Sequence, residues 1–149
     1  MPDAIRVFIE TPAGSRTKHV HDGVTLERLD SLDVPAAYPY AYGFLPDHMA
    51  ADGECVDCYL ITQTPIAAGA LLQGRVVGVI EQWEAGAEDH KVLLVPIEND
   101  DPHPEVADRI MEFMRTLFEA FPDMLVTVGP SRDARAALQY LTAFGSPRP

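Results

Sequence analysis

Positive charge is what this chain has least of. Eleven lysines and arginines face 23 aspartates and glutamates, for a formal net charge of -12. A surface of that sign repels nucleic acid and anionic membrane, so neither is expected as a partner. It also repels a free polyanion, so a phosphate-bearing substrate would arrive with metal ions or meet them in the site. Long hydrophobic runs are missing as well. No stretch of about 18 apolar residues and no charged-then-apolar leader occurs, which predicts neither a membrane span nor a secretory signal and makes a soluble cytoplasmic protein the expectation. Repeats, low-complexity tracts and linkers are absent, and 149 residues suffice to bury a core, so one domain over 1–149 is expected. Cysteine is scarce. Cys55 and Cys58 form a C-x-x-C without the further ligands of a structural zinc site or the helix N-terminus of a redox motif, so they read as two small thiols in a reducing compartment. Lysine is scarcer than the basic total suggests: nine of the eleven are arginine, leaving only Lys18 and Lys91. A chain that uses arginine for its surface places its few lysines where a compact point charge is needed.

What the chain does have is carboxylate in clusters. Asp52-Gly53-Glu54-Cys55-Val56-Asp57 carries three acids and runs straight into the apolar Cys58 to Thr62. Asp52-Gly53 reads as a turn and Asp57 as the opening of a strand. A carboxylate beside a half-buried strand is costly unless a cation or donors compensate it, and hard divalent cations do so through oxygen ligands. A second cluster, Glu84 to Lys91, is again a turn leading into a strand, Lys91 to Pro96. Two such junctions from distant loops can converge at one end of a sheet or barrel.

Around them the periodicities are mixed. Ile5, Val7 and Ile9 alternate with polar or aromatic residues as in a strand ending on Glu10, and Thr11 to Ser15 is a turn. Thr17 to His21 predicts a strand whose His19 and His21 read as a solvated face, and Leu26 to Val34 predicts another. Tyr38, Tyr40 and Tyr42 fall on one face of an extended segment, Tyr40 for packing, Tyr38 and Tyr42 with hydroxyls able to donate to an anion. Val76 to Ile80 is a buried strand. From Pro104 the spacing turns helical through Val106, Ile110, Met111, Met114, Leu117, Phe118 and Phe121. Met124 to Val128 then predicts a strand, and Arg132 to Phe144 a second helix with Ser131 as N-cap and Gly145 at its end, before a frayed Ser-Pro-Arg-Pro.

Taken together, Ile9-Glu10-Thr-Pro-Ala-Gly-Ser-Arg-Thr-Lys18, Tyr38-Pro-x-x-Tyr42-Gly43-Phe44, Asp52-Gly53-Glu54-x-x-Asp57 and Glu84 to Lys91 resemble family I soluble inorganic pyrophosphatases over about residues 5 to 96. The resemblance implies a mainly β fold with flanking α, an OB-like five-stranded antiparallel barrel with two helices packed outside and the site at its mouth. It implies hydrolysis of pyrophosphate with Mg²⁺, or with Mn²⁺ or Zn²⁺ in its place. Asp52, Asp57, Glu84 and Asp89 would bind metal, and Glu10 would hold water on it. Glu54 would orient or deprotonate the attacking water, with Asp57 and Tyr42 beside it in catalysis. Lys18, Lys91 and Tyr42 would contact phosphate oxygens, supported by Tyr38. A homo-oligomer, a hexamer by analogy with bacterial members, is expected.

The chain also departs from that pattern. Val20 replaces a carboxylate, Glu54 and Glu84 replace aspartates, and Cys55 replaces a proline. Asp30 stands where an arginine is expected, with Arg28 within reach of a shifted strand, and Phe121-Pro122 stand where a tyrosine and lysine are expected. A weakened or inactive member that binds metal or a phosphorylated ligand, or a hydrolase of another phosphoanhydride, is therefore the alternative.

Overall fold

The computed structural model describes residues 4–143. The chain forms β1 (Ala4–Thr11), β2 (Thr17–His21), β3 (Arg28–Asp33), β4 (Ala41–Met49), β5 (Cys55–Leu60), β6 (Leu71–Glu84), β7 (Ala87–Glu88), β8 (Lys91–Pro96), α1 (Glu105–Glu119), β9 (Val126–Asp133) and α2 (Ala134–Thr142). In the order β1-β4-β5-β8-β6 the strands form a sheet that closes on itself where Ile5 of β1 meets Gly74 of β6, giving the expected five-stranded barrel. Closure leaves these five strands no open edges between them. The pairings are antiparallel except between β5 and β8, which run parallel, Cys58 beside Val92 and Leu60 beside Leu94. β6 outlasts the barrel and also pairs with β9 and with the short β7.

The interior follows from the alternation read in the sequence. Val7, Ile9, Val56, Cys58, Leu60, Val92 and Leu94 pack as one buried cluster, against which Ala137, Tyr140 and Leu141 of α2 also lie. On another side of the barrel Ile110, Met111, Phe113 and Met114 of α1 cover Tyr38, Tyr42, Tyr59 and Leu93. Burying each large side chain of this kind contributes about 1.5–3 kcal/mol. One close approach fixes a residue type: a Cβ at Gly43 would overlap the carbonyl oxygen of Phe8, so β1 and β4 can meet there only over glycine.

The C-terminal expectations need correction. The strand begins at Val126, not Met124, and continues through Ser131 to Asp133. Asp133, not Ser131, is the N-cap, its carboxylate accepting from the Ala136 N–H at 3.0 Å. Pairing of Arg132 with Val79 and of Ser131 with Ile80 holds this segment extended. Phe121 follows α1 instead of belonging to its stripe. The expectations for Phe144, Gly145 and the terminal Ser-Pro-Arg-Pro lie outside the described residues.

Candidate active site

The parallel pair β5–β8 is what assembles the site. Both strands start from acidic turns, and because they run in the same direction both starts lie at the same end of the barrel. Asp57 precedes Cys58 and Lys91 precedes Val92, and Cys58 and Val92 are register partners. The Lys91 ammonium donates to Asp57 at 2.7 Å and stands 3.2 Å from Asp89. Lys91 is 5% exposed. Burial works against its charge, but Asp57 and Asp89 outweigh that and carry its pKa above the ordinary lysine value.

The first acidic turn is closed by its own backbone. Ala50 N–H donates to Glu54 O, and the Asp52 carboxylate accepts from the Glu54 N–H at 2.8 Å. Gly53 at φ +83° supplies the left-handed residue this requires. In the second turn β6 and β7 reverse through Ala85 and Gly86, and Asp89 is tied back to Gln82, whose amide donates to its carboxylate at 3.2 Å. Burial, with Asp57 and Asp52 adding, raises the Asp89 pKa despite the opposing pull of Lys91.

Glu10 lies buried near the end of β1 and accepts from the His21 N–H at 2.7 Å. Burial pushes its pKa up to about 7, with Asp57 adding and the His21 N–H, Lys18 and Lys91 opposing. Tyr38 and Tyr42 stand with ring centroids 5.4 Å apart, and burial, reinforced by neighbouring carboxylates, raises both hydroxyls. Both therefore remain donors at neutral pH. Lys18 places its ammonium 5.7 Å from the centre of the Tyr42 ring, a cation–π distance. Tyr40 packs against the α1 cluster, as its sequence position implied, and accepts from Arg109 at 3.4 Å.

These groups face two abutting cavities of about 210 and 170 Å³. Glu10, Asp52 and Glu54 line the first, Tyr38, Glu84 and Lys91 the second, and Lys18, Tyr42, Asp57 and Asp89 stand between them and line both. Every site residue expected from the sequence thus faces one cleft. The departures resolve differently. Val20 does line the first cavity, so the carboxylate it replaces is absent from the wall. Asp30 sits exposed opposite Val20 and lines neither cavity. The register slips between Val20 and His21 and brings Arg28 opposite His21, but Arg28 lines neither cavity either. Phe121 and Pro122 are likewise outside the lining. The residues of α1 that face the second cavity are Met114, Leu117 and Phe118, joined by Met124.

Two cleft residues escaped the sequence reading. In sequence His21 reads as part of a solvated face, yet its side chain is 6% exposed, packs edge-on to Phe8 and brings Nδ1 to 3.4 Å from Glu10. The slip after Val20 breaks the alternation that the reading assumed. His19 does meet Ser31, at 2.9 Å. Gln82 carries no signal at all, being one polar residue in a long strand. Cys55 and Cys58 are thiols, the second buried and the first on the wall of the first cavity.

The donor set suits a divalent cation. Asp52, Glu54, Asp57, Asp89 and Glu10 present oxygen ligands, the preference of hard cations. Glu10 is a buried carboxylate whose pKa is raised to about 7, and a nearby cation would favour its charged form. Among the described residues no three acidic, histidine or cysteine side chains are already gathered around one point, and the Lys91 ammonium sits between Asp57 and Asp89.

A closed barrel of this topology with a mouth of carboxylates, two lysines and two buried tyrosines defines a class of phosphate-handling hydrolase fold. The inorganic pyrophosphatase family model matches residues 7–125. The chain is 33% identical to an inorganic pyrophosphatase of Gluconobacter oxydans over 72% of its own length and 62% of that protein's. It is 32% identical to one of Halalkalibacterium halodurans over 94% and 92% of the two chains. The solved inorganic pyrophosphatase of Coxiella burnetii superimposes with a TM-score of 0.85 at 27% identity, covering 95% of this chain and 92% of that one. The chain belongs to the inorganic pyrophosphatase family, which implies use of a divalent cation. No helix among the described residues is long and apolar enough to cross a membrane.

Proposed function

We infer that the chain hydrolyses pyrophosphate to two phosphates in this cleft, with Mg²⁺ as the cation and Mn²⁺ or Zn²⁺ able to replace it. The observation that carries the reading is convergence: acids and cations from three separate sequence motifs, and tyrosines from a fourth, line one cleft at one end of the barrel. Asp52, Asp57, Asp89, Glu84 and Glu10 would hold the cations. When bound, these supply positive charge for the phosphate oxygens and make a water more acidic. Glu54, on the turn beside Asp52, orients the attacking water and takes its proton. Lys18 at the boundary of the two cavities and Lys91 in the second face the phosphate oxygens, and Tyr42 donates its hydroxyl there, backed by Tyr38. Little else is required, since phosphoryl transfer is largely a matter of positioning and charge. The chain would act as one domain over 1–149, in the cytoplasm, as a homo-oligomer of the hexameric kind. The test is phosphate release from pyrophosphate with Mg²⁺, Mn²⁺ or Zn²⁺, parent against Asp57→Ala. Release by the parent alone is expected, and equal release by both would refute the site.

A further inference from the structure

One buried histidine stands in the second acidic turn without lining either cavity. His90 lies between Asp89 and Lys91 in sequence and is 5% exposed. Its ring packs edge-on to Trp83, with centroids 5.1 Å apart, and against Tyr140 of α2 at 4.8 Å. Ile80 faces Lys91 and Trp83 faces Glu88 in one continuous register, which puts Gln82 opposite Asp89. A regular antiparallel pair of this kind exchanges both backbone bonds. Here the Asp89 N–H does donate to the Gln82 carbonyl, at 2.8 Å, but the Gln82 N–H donates to His90 Nδ1 at 3.0 Å. The ring nitrogen thus stands in for the Asp89 carbonyl. Nδ1 also lies 3.1 Å from the Gln82 carbonyl, which the Asp89 N–H already serves. Nε2 is 3.1 Å from the Glu88 carboxylate, an acceptor, so the ring proton sits on Nε2 and Nδ1 keeps its lone pair for the Gln82 N–H. Without an acceptor on residue 90 that buried N–H needs another partner, and the one in register is the Asp89 carbonyl. Completing the pair would turn the Asp89 peptide into the sheet and move its carboxylate relative to Lys91 and Asp57.

Resting on the cation-dependent hydrolase reading above, we propose that His90 is a positioning residue: its Nδ1 holds the sheet open at Asp89, so that Asp89 and Lys91 enter the cleft where the cation and the phosphate need them. The imidazole touches neither ligand. It acts through the Gln82 backbone on one side and through the two site residues it joins on the other. Gln82 completes the arrangement, since its side-chain amide donates to the Asp89 carboxylate at 3.2 Å. A displacement of roughly 1 Å at such groups costs on the order of 10² in rate. The second helix, which lines neither cavity, takes part in the site by packing Tyr140 against this ring.

The experiment compares His90→Asn with His90→Gln and His90→Leu. Asparagine places its amide oxygen near the position of Nδ1, glutamine reaches toward that of Nε2, and leucine fills space without an acceptor. Mn²⁺ affinity is read from the free-ion electron paramagnetic resonance signal, kcat from phosphate release with pyrophosphate and Mn²⁺, and folding from a melting scan. His90→Asn is expected to keep Mn²⁺ affinity and kcat within about threefold of the parent, although it loses the ring packing and melts lower. His90→Gln, and His90→Leu where it folds, are expected to bind Mn²⁺ at least about tenfold more weakly and to lose kcat on a similar scale. A role in packing alone would affect Asn and Gln alike, since both remove the ring. Mn²⁺ affinity in His90→Asn less than about fivefold above that in His90→Gln would overturn this inference and leave the hydrolase reading intact. If the parent binds Mn²⁺ but releases no phosphate, the hydrolase reading fails and the same affinity ratio still decides the role of His90. No Mn²⁺ binding by the parent would overturn both.

Discussion

The carboxylate half of the cleft and the half under α1 are built by different means, and the contrast explains which of them could be read in advance. The first is made by local chemistry: a glycine turn places Asp52 and Glu54, and the strand that follows places Asp57. Residue type, order and short spacing define that turn, which Glu10, Lys18 and Asp89 join from other parts of the chain. The second is made by tertiary contact between the start of β8, the end of β6 and one face of a helix far along the chain. There, function depends on which helix positions face inward, and that is set by packing against Tyr38 and Tyr59.

The largest effect that separates the halves is expected from Lys91→Gln. It should lower kcat/KM by about 10² to 10³, the scale of losing one preorganised charge at a transition state. It should also destabilise the metal-free protein by about 3–5 kcal/mol, because Asp57 and Asp89 lose their buried partner. Divalent cation should restore much of that stability by taking the lysine's place. Urea unfolding with and without Mn²⁺ measures it, and a loss that the metal leaves unchanged would show that Lys91 does not share those carboxylates with a cation.

Glu54→Asp comes next, at on the order of 10² in kcat, since withdrawing a carboxylate by roughly 1 Å from an aligned water has that scale. A fall shows a turn adjusted to glutamate, and a rise shows one that is not. An unchanged rate removes Glu54 from the mechanism. Saturating Mg²⁺ at about 100 times its dissociation constant should raise stability by about 2.7 kcal/mol through binding to the native state alone. A melting midpoint indifferent to millimolar Mg²⁺ would contradict a formed cation site. The smallest effect should come from Arg6→Gln, which breaks an exposed pair with Asp47 at 2.6 Å on the barrel wall, away from either cavity. Less than about 1 kcal/mol of stability and no change in turnover are expected, by urea unfolding and phosphate release.

The same division runs through the fold. Alternation along Ile5, Val7 and Ile9 made β1 legible as a strand, though Phe8 and Glu10 are buried as well, and the apolar spacing after Pro104 made α1 legible because it reports which face is buried. The parallel pairing of β5 with β8 was not legible, since alternation is blind to the direction of a neighbour. The inward turn of His21 depends on a one-residue slip against β3, and a slip reverses which side chains face the interior without altering the composition. Which residues of α1 face the cleft was not legible either: Phe121-Pro122 lie beyond its end at Glu119, and Met114, Leu117 and Phe118 line the second cavity.

The function proposed for this cleft requires that the carboxylates of its first half hold a divalent cation. Titration of the full-length protein with Mn²⁺, followed by the loss of free-ion electron paramagnetic resonance signal, tests it without relying on turnover. Saturable binding is expected in the parent, lost or weakened at least about tenfold in Asp57→Ala, while Arg6→Gln binds as the parent does. Binding of equal strength in the parent and in Asp57→Ala would contradict it.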